Sequence, residues 1–381
     1  MIKKIAFMLT IIYLSLFAQG LNDGVLGVAW PSIRYEMDFP LEYAGFLIVT
    51  AFTMYSITAS LVSRLYKFFK SQTIALMGIL LIVTGNVGFF LAPAFFVLII
   101  MIGVSASGQA FIEASLSAYL AKHFSARYMN WGLCFWGMGA SVSPLIMAQM
   151  IMLFSWRIGY LVLLSVQLSI AVFSIIGLKK GVWVKEGTEH RKKKKVSNAK
   201  VKLSYQISQM SVFFIFSGTQ TALGFWVTTV MLESRGLSID AAGLYPAFYF
   251  GFIMLGRLFF GSVASRYSNM RLMRAGFFMA FLGLVLLMFT TNVFAIILIG
   301  FGVAPIFPCL IHETTRRFDP NVVEKQMGFQ LSAAGFGDII SSSMGFVLTF
   351  IFLEALFPIA FLLFAIAFII NESIELRVKN S

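Results

Sequence analysis

The chain reads as a succession of long apolar runs separated by short polar punctuation. A helix needs roughly 20 mostly apolar residues to cross a bilayer. In lipid, a helix is the element that satisfies its backbone N–H and C=O groups within one segment. Twelve such runs predict twelve helices, at 5–30, 43–64, 71–91, 94–121, 131–153 and 157–178, then at 205–232, 240–264, 272–290, 292–315, 326–350 and 354–371. Only Ala92-Pro93 parts the third from the fourth, and only Thr291-Asn292 the ninth from the tenth. The first run follows Lys3 and Lys4. It is longer than a signal-peptide core of roughly 7–15 residues and has no small-residue cleavage pattern, so it is read as an uncleaved helix.

Positive charge orients the spans. With the N-terminus cytoplasmic, 26 of the 29 Lys and Arg fall on the inner side, and only Arg34, Arg157 and Arg235 lie outside. Basic residues are retained on the cytoplasmic face, so both termini are expected inside. The one long polar segment, 179–204, holds Glu186, Glu189 and the run Arg191-Lys192-Lys193-Lys194-Lys195. It separates a six-helix bundle at 1–178 from a second at 205–371, with a cytoplasmic tail at 372–381. This linker is expected to meet anionic lipid.

Composition removes the other classes. Of 381 residues, 59% are hydrophobic and 12% charged, against about 25% charged in a soluble domain. A water-exposed surface cannot be built from so few charges, which excludes a soluble enzyme. The net charge of +13 does not signal nucleic acid, because it sits in the inner loops. Cys134 and Cys309 lie in apolar runs, so no disulfide framework is expected. His123, His190 and His312 show no metal-ligand spacing, and no Gly-rich phosphate loop is present. The expected fold is an all-α membrane protein of twelve transmembrane helices in two six-helix bundles.

The halves echo one another. Ala59-Ser60-Leu61-Val62-Ser63-Arg64 ends the second span and Gly261-Ser262-Val263-Ala264-Ser265-Arg266 the eighth, while Trp131-Gly132-Leu133 and Met327-Gly328-Phe329 open the fifth and eleventh. Duplicated halves are common in secondary transporters, with the solute site near midplane. Six plus six spans, a basic central loop and a small-residue segment ending in Arg resemble the major facilitator superfamily. Its loop motif is Gly-x-x-x-Asp-Arg; here Ser63 and Ser265 replace the Asp and Ala59 the first Gly, and Gly256-Arg257 with Gly261 is the better copy. The resemblance implies a conformational gate at Arg64, Gly256, Arg257, Gly261 and Arg266.

Three acids lie where lipid is expected: Asp23, Glu113 and Asp338. An intramembrane acid costs at least ~2.5–3.5 kcal/mol by insertion scales and usually serves function. Asp23 sits in Gln19-Gly20-Leu21-Asn22-Asp23-Gly24, with Gln19 one turn away on the same face; a structural pairing with Arg34 is the competing reading. Ser105, Gln109, Glu113 and Ser117 form a polar stripe at every fourth position, which must face the interior or water. Glu113 has no Lys or Arg at comparable depth. Desolvation without a cation favours the neutral acid, which makes it a candidate proton carrier; a permanently protonated structural acid is the alternative. Asp338 either lines the second half of a cavity with Gln330 or bonds locally to Ser341, Ser342 and Ser343. Gln220, Trp226, Tyr249 and Trp136 are deep amides and aromatics suited to a polyhydroxylated ligand, and Trp30, Trp131 and Trp156 are expected as interface anchors.

Leu21-Asn22-Asp23 in span one, with Glu113-Ala114-Ser115 in span four and Gly302-Val303-Ala304-Pro305 in span ten, resembles the L-fucose permease branch of that superfamily. Here Glu113 is followed by Ala and Ser, where the fucose permeases have Thr and later Asn-Pro. The resemblance implies proton coupling and solute recognition by Asp23 and Glu113. The resulting expectation is a proton-coupled symporter of a small neutral, sugar-like solute in the bacterial cytoplasmic membrane. It would be monomeric, with no cofactor beyond the proton gradient. The residues expected to touch solute are Gln19, Asn22, Asp23, Gln109, Trp136, Gln220, Trp226, Tyr249, Gln330 and Asp338. A proton-antiport exporter and a non-transporting membrane sensor are the alternatives.

Overall fold

The computed structural model describes residues 2–66, 68–124, 126–183, 202–264, 266–319 and 322–379. Among them, twelve helical segments are long and apolar enough to cross a membrane: α1 (Lys4–Met37), α2 (Tyr43–Val62), α3 (Ser71–Leu91), α4 (Phe95–Leu120), α5 (Trp131–Leu153), α6 (Trp156–Lys179), α7 (Leu203–Ser234), α8 (Ile239–Val263), α9 (Asn269–Phe289), α10 (Val293–Arg317), α11 (Lys325–Phe350) and α12 (Leu353–Val378). Every apolar run becomes a span. The largest boundary differences are at the ends of α1, which continues past residue 30 to Met37, and of α12, which continues past residue 371 to Val378. Most of the basic linker, together with Lys67 and Ser265, lies outside the described residues, as does the side chain of Ser63.

Two compact units are present. Unit 1 takes in the described residues of Met1–Thr188 together with Leu237–Phe250; unit 2 takes in those of Glu189–Gly236 and Gly251–Ser381. The first half of α8 therefore groups with unit 1. Gly243 is the reason on this side: a Cβ there would lie 2.6 Å from the Ala148 methyl of α5.

Inside unit 1, α1 and α5 cross at backbone contact. A Cβ on Gly20 would fall 2.0 Å from the Trp136 carbonyl oxygen, and one on Gly139 would fall 2.2 Å from that of Phe17. Unit 2 repeats the crossing between α7 and α11, where a Cβ on Gly218 would lie 2.0 Å from the Gly337 carbonyl oxygen and one on Gly337 would lie 2.4 Å from that of Phe214. Small residues permit such approach, and van der Waals packing then holds spans together where lipid removes the hydrophobic drive.

Three spans are interrupted. α1 breaks at Gly24, between helices Ile2–Asp23 and Val25–Met37; α10 breaks at Ala304-Pro305; α11 breaks at Gly337, between Val323–Phe336 and Asp338–Phe350. Pro305 lacks an N–H and cannot continue the ladder. Irregular backbone at membrane depth is tolerated where protein or a water-lined cavity receives its polar groups. Asp23 and Asp338 each adjoin one of these breaks.

Unit 2 is sealed by aromatic packing. Phe216 meets Phe277 and Phe364 at centroid distances of 6.2 and 5.6 Å. Trp226 is fully buried and donates its indole N–H to the Ser341 carbonyl at 2.8 Å, tying α7 to α11.

Candidate functional site: an acidic face on unit 1

Four spans of unit 1 bring their polar side chains together. From α1, the Gln19 Nε2 donates to Glu113 Oε2 at 2.9 Å. From α2, the Tyr55 hydroxyl donates to that same oxygen at 2.6 Å. One turn along α1, Asp23 Oδ2 accepts the Trp136 indole N–H of α5 at 2.6 Å. Gln19 and Asp23 reach this face because they are four residues apart, and Gly20 lies between them at the α5 crossing.

The geometry at Glu113 is asymmetric. Both donors converge on Oε2, and among the described residues no side chain donates to Oε1 and no cation pairs with the carboxylate. Glu113 and Asp23 are open to the surroundings, whereas Gln19 is buried and its carbonyl oxygen has no partner. An open carboxylate in mid-span, held by donors from two other helices, can exchange a proton or accept a hydrogen bond at Oε1. Asp23 is held by the Trp136 indole, a contact across two helices of the unit.

The rest of the stripe faces inward. Ser105 and Gln109 line a small cavity of about 20 Å³, room for about one water, together with Asn22, Asn86 and Tyr160. Asn22 donates to its own helix at the Ala18 carbonyl (2.9 Å), and Asn86 donates to Gln167 (2.5 Å).

Several residues expected at a solute path are covered in this structure. Trp226 and Tyr249 are fully buried by packing, and Gln330 is buried and accepts from the Thr314 hydroxyl at 2.6 Å. Gln220 is half-buried on α7. Asp338 lies beside the Thr221 hydroxyl of α7. Trp30 and Trp156 are interior residues, not interface anchors. The gate residues divide: Arg64 and Arg266 are exposed, Arg257 is half-buried, Gly256 packs against Ala304 beside the α10 break, and Gly261 meets no neighbour within 4 Å.

Three features escaped the sequence reading. Tyr55 is one; a lone Tyr in mid-span was its signal. The second is a pair of clamps at helix ends. In unit 1, Glu36 at the end of α1 accepts from Trp156 (2.5 Å) and pairs with Arg157 (3.1 Å) at the start of α6, and Arg157 donates to the Ala92 carbonyl after α3. In unit 2, Arg235 after α7 pairs with Glu354 (3.1 Å) at the start of α12 and donates to the carbonyls of Thr290 and Leu287 at the end of α9. The third is a polar cluster in unit 2. The Arg317 side chain is fully buried, with Asn371 Oδ1 at 3.0 Å, Gln209 Oε1 at 3.3 Å, and Glu313 and Glu375 each at 3.7 Å. Arg316 pairs with both glutamates.

Comparison with known proteins gives the family. Residues 12–342 match the family model described as Major Facilitator Superfamily. Among solved structures, the fold is similar to peptide transporter POT in complex with alafosfalin (TM-score 0.75, 12% identity, covering 96% of this chain and 94% of that one). It is likewise similar to peptide transporter POT in complex with sulfate (TM-score 0.73, 12% identity, 97% and 94% covered). No curated protein sequence matches significantly. A family match across most of the chain, on a twelve-span all-helical fold, settles the point: the chain belongs to the Major Facilitator Superfamily of membrane transporters.

Proposed function

We propose that the chain is a proton-coupled secondary transporter of a small polar solute, with Glu113 as the proton-carrying group. The observation behind this reading is the Glu113 carboxylate itself: open in mid-span, unpaired with any described cation, and fixed through Oε2 by Gln19 and Tyr55. When ionised, the group accepts both hydrogen bonds at Oε2 and presents Oε1. When protonated on Oε1, it keeps the same pose and becomes a donor to solute. Proton and solute then act on one side chain, and coupling requires that their binding differ between the inward- and outward-open states.

An acidic face with no cation beside Glu113 favours neutral or cationic solutes over organic anions. A sugar-like or other polyhydroxylated solute suits the Asp23–Trp136 pair, which offers a carboxylate beside a flat apolar ring. The membrane is taken to be a bacterial cytoplasmic membrane with both termini inside, in keeping with the charge asymmetry. The test is a thermal-shift screen of sugars, amino acids and nucleosides on purified protein, followed by flux of the hits into proteoliposomes. Accumulation driven by an inwardly directed proton gradient supports symport. Extrusion under that gradient supports the exporter reading, and hits that bind without flux support the sensor.

A further inference from the structure

Unit 2 carries the same helix crossing as unit 1, with its acid on the opposite helix. At the first crossing Gly139 packs on the backbone of Phe17 and Leu21; at the second Gly337 packs on the backbone of Phe214 and Gly218. Matching Leu21 to Gly218 puts Gln220 of α7 where α1 has Asp23, and matching Gly139 to Gly337 puts Asp338 of α11 where α5 has Ala140. The carboxyl has thus moved from the first helix of the pair to its partner while staying at the crossing. It also stays beside a helix break, at Gly24 in α1 and at Gly337 in α11.

The surroundings of Asp338 are those of an ionisable site without its counter-charge. It lies within the span Lys325–Phe350, half-buried, with the Thr221 hydroxyl of α7 beside its side chain. Among the described residues no Lys, Arg or His forms an ion pair with it. One turn further along α11, the Ser341 hydroxyl is fully buried and has no partner. An acid in mid-span with no described cation beside it must either carry a proton or meet a positive group that arrives with a ligand.

We propose that Asp338 and Thr221 form a second acidic site, confined to unit 2, that binds a positive charge: a transported proton or an ammonium group of the solute. The inference rests on the proton-coupled reading of Glu113 for its role in transport, but not for its geometry.

Dicyclohexylcarbodiimide tests it, because this apolar reagent adds to carboxyl groups that carry their proton in apolar surroundings. The intact purified protein is treated, digested and mapped by mass spectrometry. Label is expected on the peptide holding Asp338 and is lost in Asp338→Asn, whose melting temperature, unchanged from the wild type, reports an intact fold. Methylammonium chloride separates the two sources: protection at Asp338 assigns a cationic solute group, and undiminished label assigns the proton. A wild-type Asp338 peptide that takes no label overturns the inference and leaves Thr221 a packing neighbour of Asp338. The Glu113 peptide reads the first site separately, so either can fail alone.

Discussion

At the scale of single residues, the contact that governs the proposed chemistry is the doubly held Oε2 of Glu113. Gln19 and Tyr55 fix which oxygen is free, so each is a positioning residue for whatever Glu113 binds. Hydrogen bonds to a charged group are stronger than neutral ones, and losing one has a measurable effect. Tyr55→Phe removes the hydroxyl and keeps the ring. It is expected to lower proton-driven uptake relative to solute exchange by about tenfold, the size of one such bond. Equal loss of both activities points instead to a general structural role for the hydroxyl. Arg317 is a residue of a different kind. Its guanidinium is sealed among Glu313, Glu375, Asn371 and Gln209, and removing one partner of a buried charge cluster costs about 3–5 kcal/mol. Arg317→Met should therefore lower the melting temperature strongly, even though Arg316 still pairs with the two glutamates. An unchanged melting temperature would show that the cluster contributes little to stability.

At the scale of helices, the two clamps use one plan with its charges exchanged. Unit 1 sets Glu36 on its first span against Arg157 on its sixth; unit 2 sets Arg235 on its first span against Glu354 on its sixth. In both, the arginine also caps carbonyls that the third span of the unit leaves unsatisfied. This explains two of the three basic residues that break the charge asymmetry: Arg157 and Arg235 are held for structure. The second unit thus shows that the reversed polarity is compatible with the plan. Glu36→Arg and Arg157→Glu should each lower thermal stability, and the double variant should recover most of the loss, as a coupled pair requires. Losses that simply add would separate the two residues energetically.

The spans themselves were legible in the sequence because lipid leaves a long apolar run little choice but helix. Glu113 and Asp23 stood out for the same reason, as charges that lipid penalises. What was not legible depends on partners far apart in the chain. Tyr55 meets Glu113 across 58 positions, and a single Tyr in an apolar run gives no hint of which helix it faces. Glu313, Arg317 and Glu375 looked like loop charges because periodicity does not say which side of a helix end is covered. Trp226 and Tyr249 are fully buried, and composition does not separate an aromatic that stacks on solute from one that packs against other helices.

At the scale of the whole molecule, membership of the Major Facilitator Superfamily supplies the transporter, and the acidic groups of each unit supply what is particular to this chain. Acidic groups occur at corresponding helix crossings of the two units, and the polar contacts around Glu113 and Asp23 cluster on unit 1. The central claim is that Glu113 carries the proton. The most direct measurement uses proteoliposomes holding either the wild type or Glu113→Gln, with solute uptake under an imposed proton gradient compared with solute exchange at equal pH on both sides. The account predicts that the variant exchanges solute near the wild-type rate and no longer accumulates it. Concentrative uptake undiminished in Glu113→Gln would contradict it.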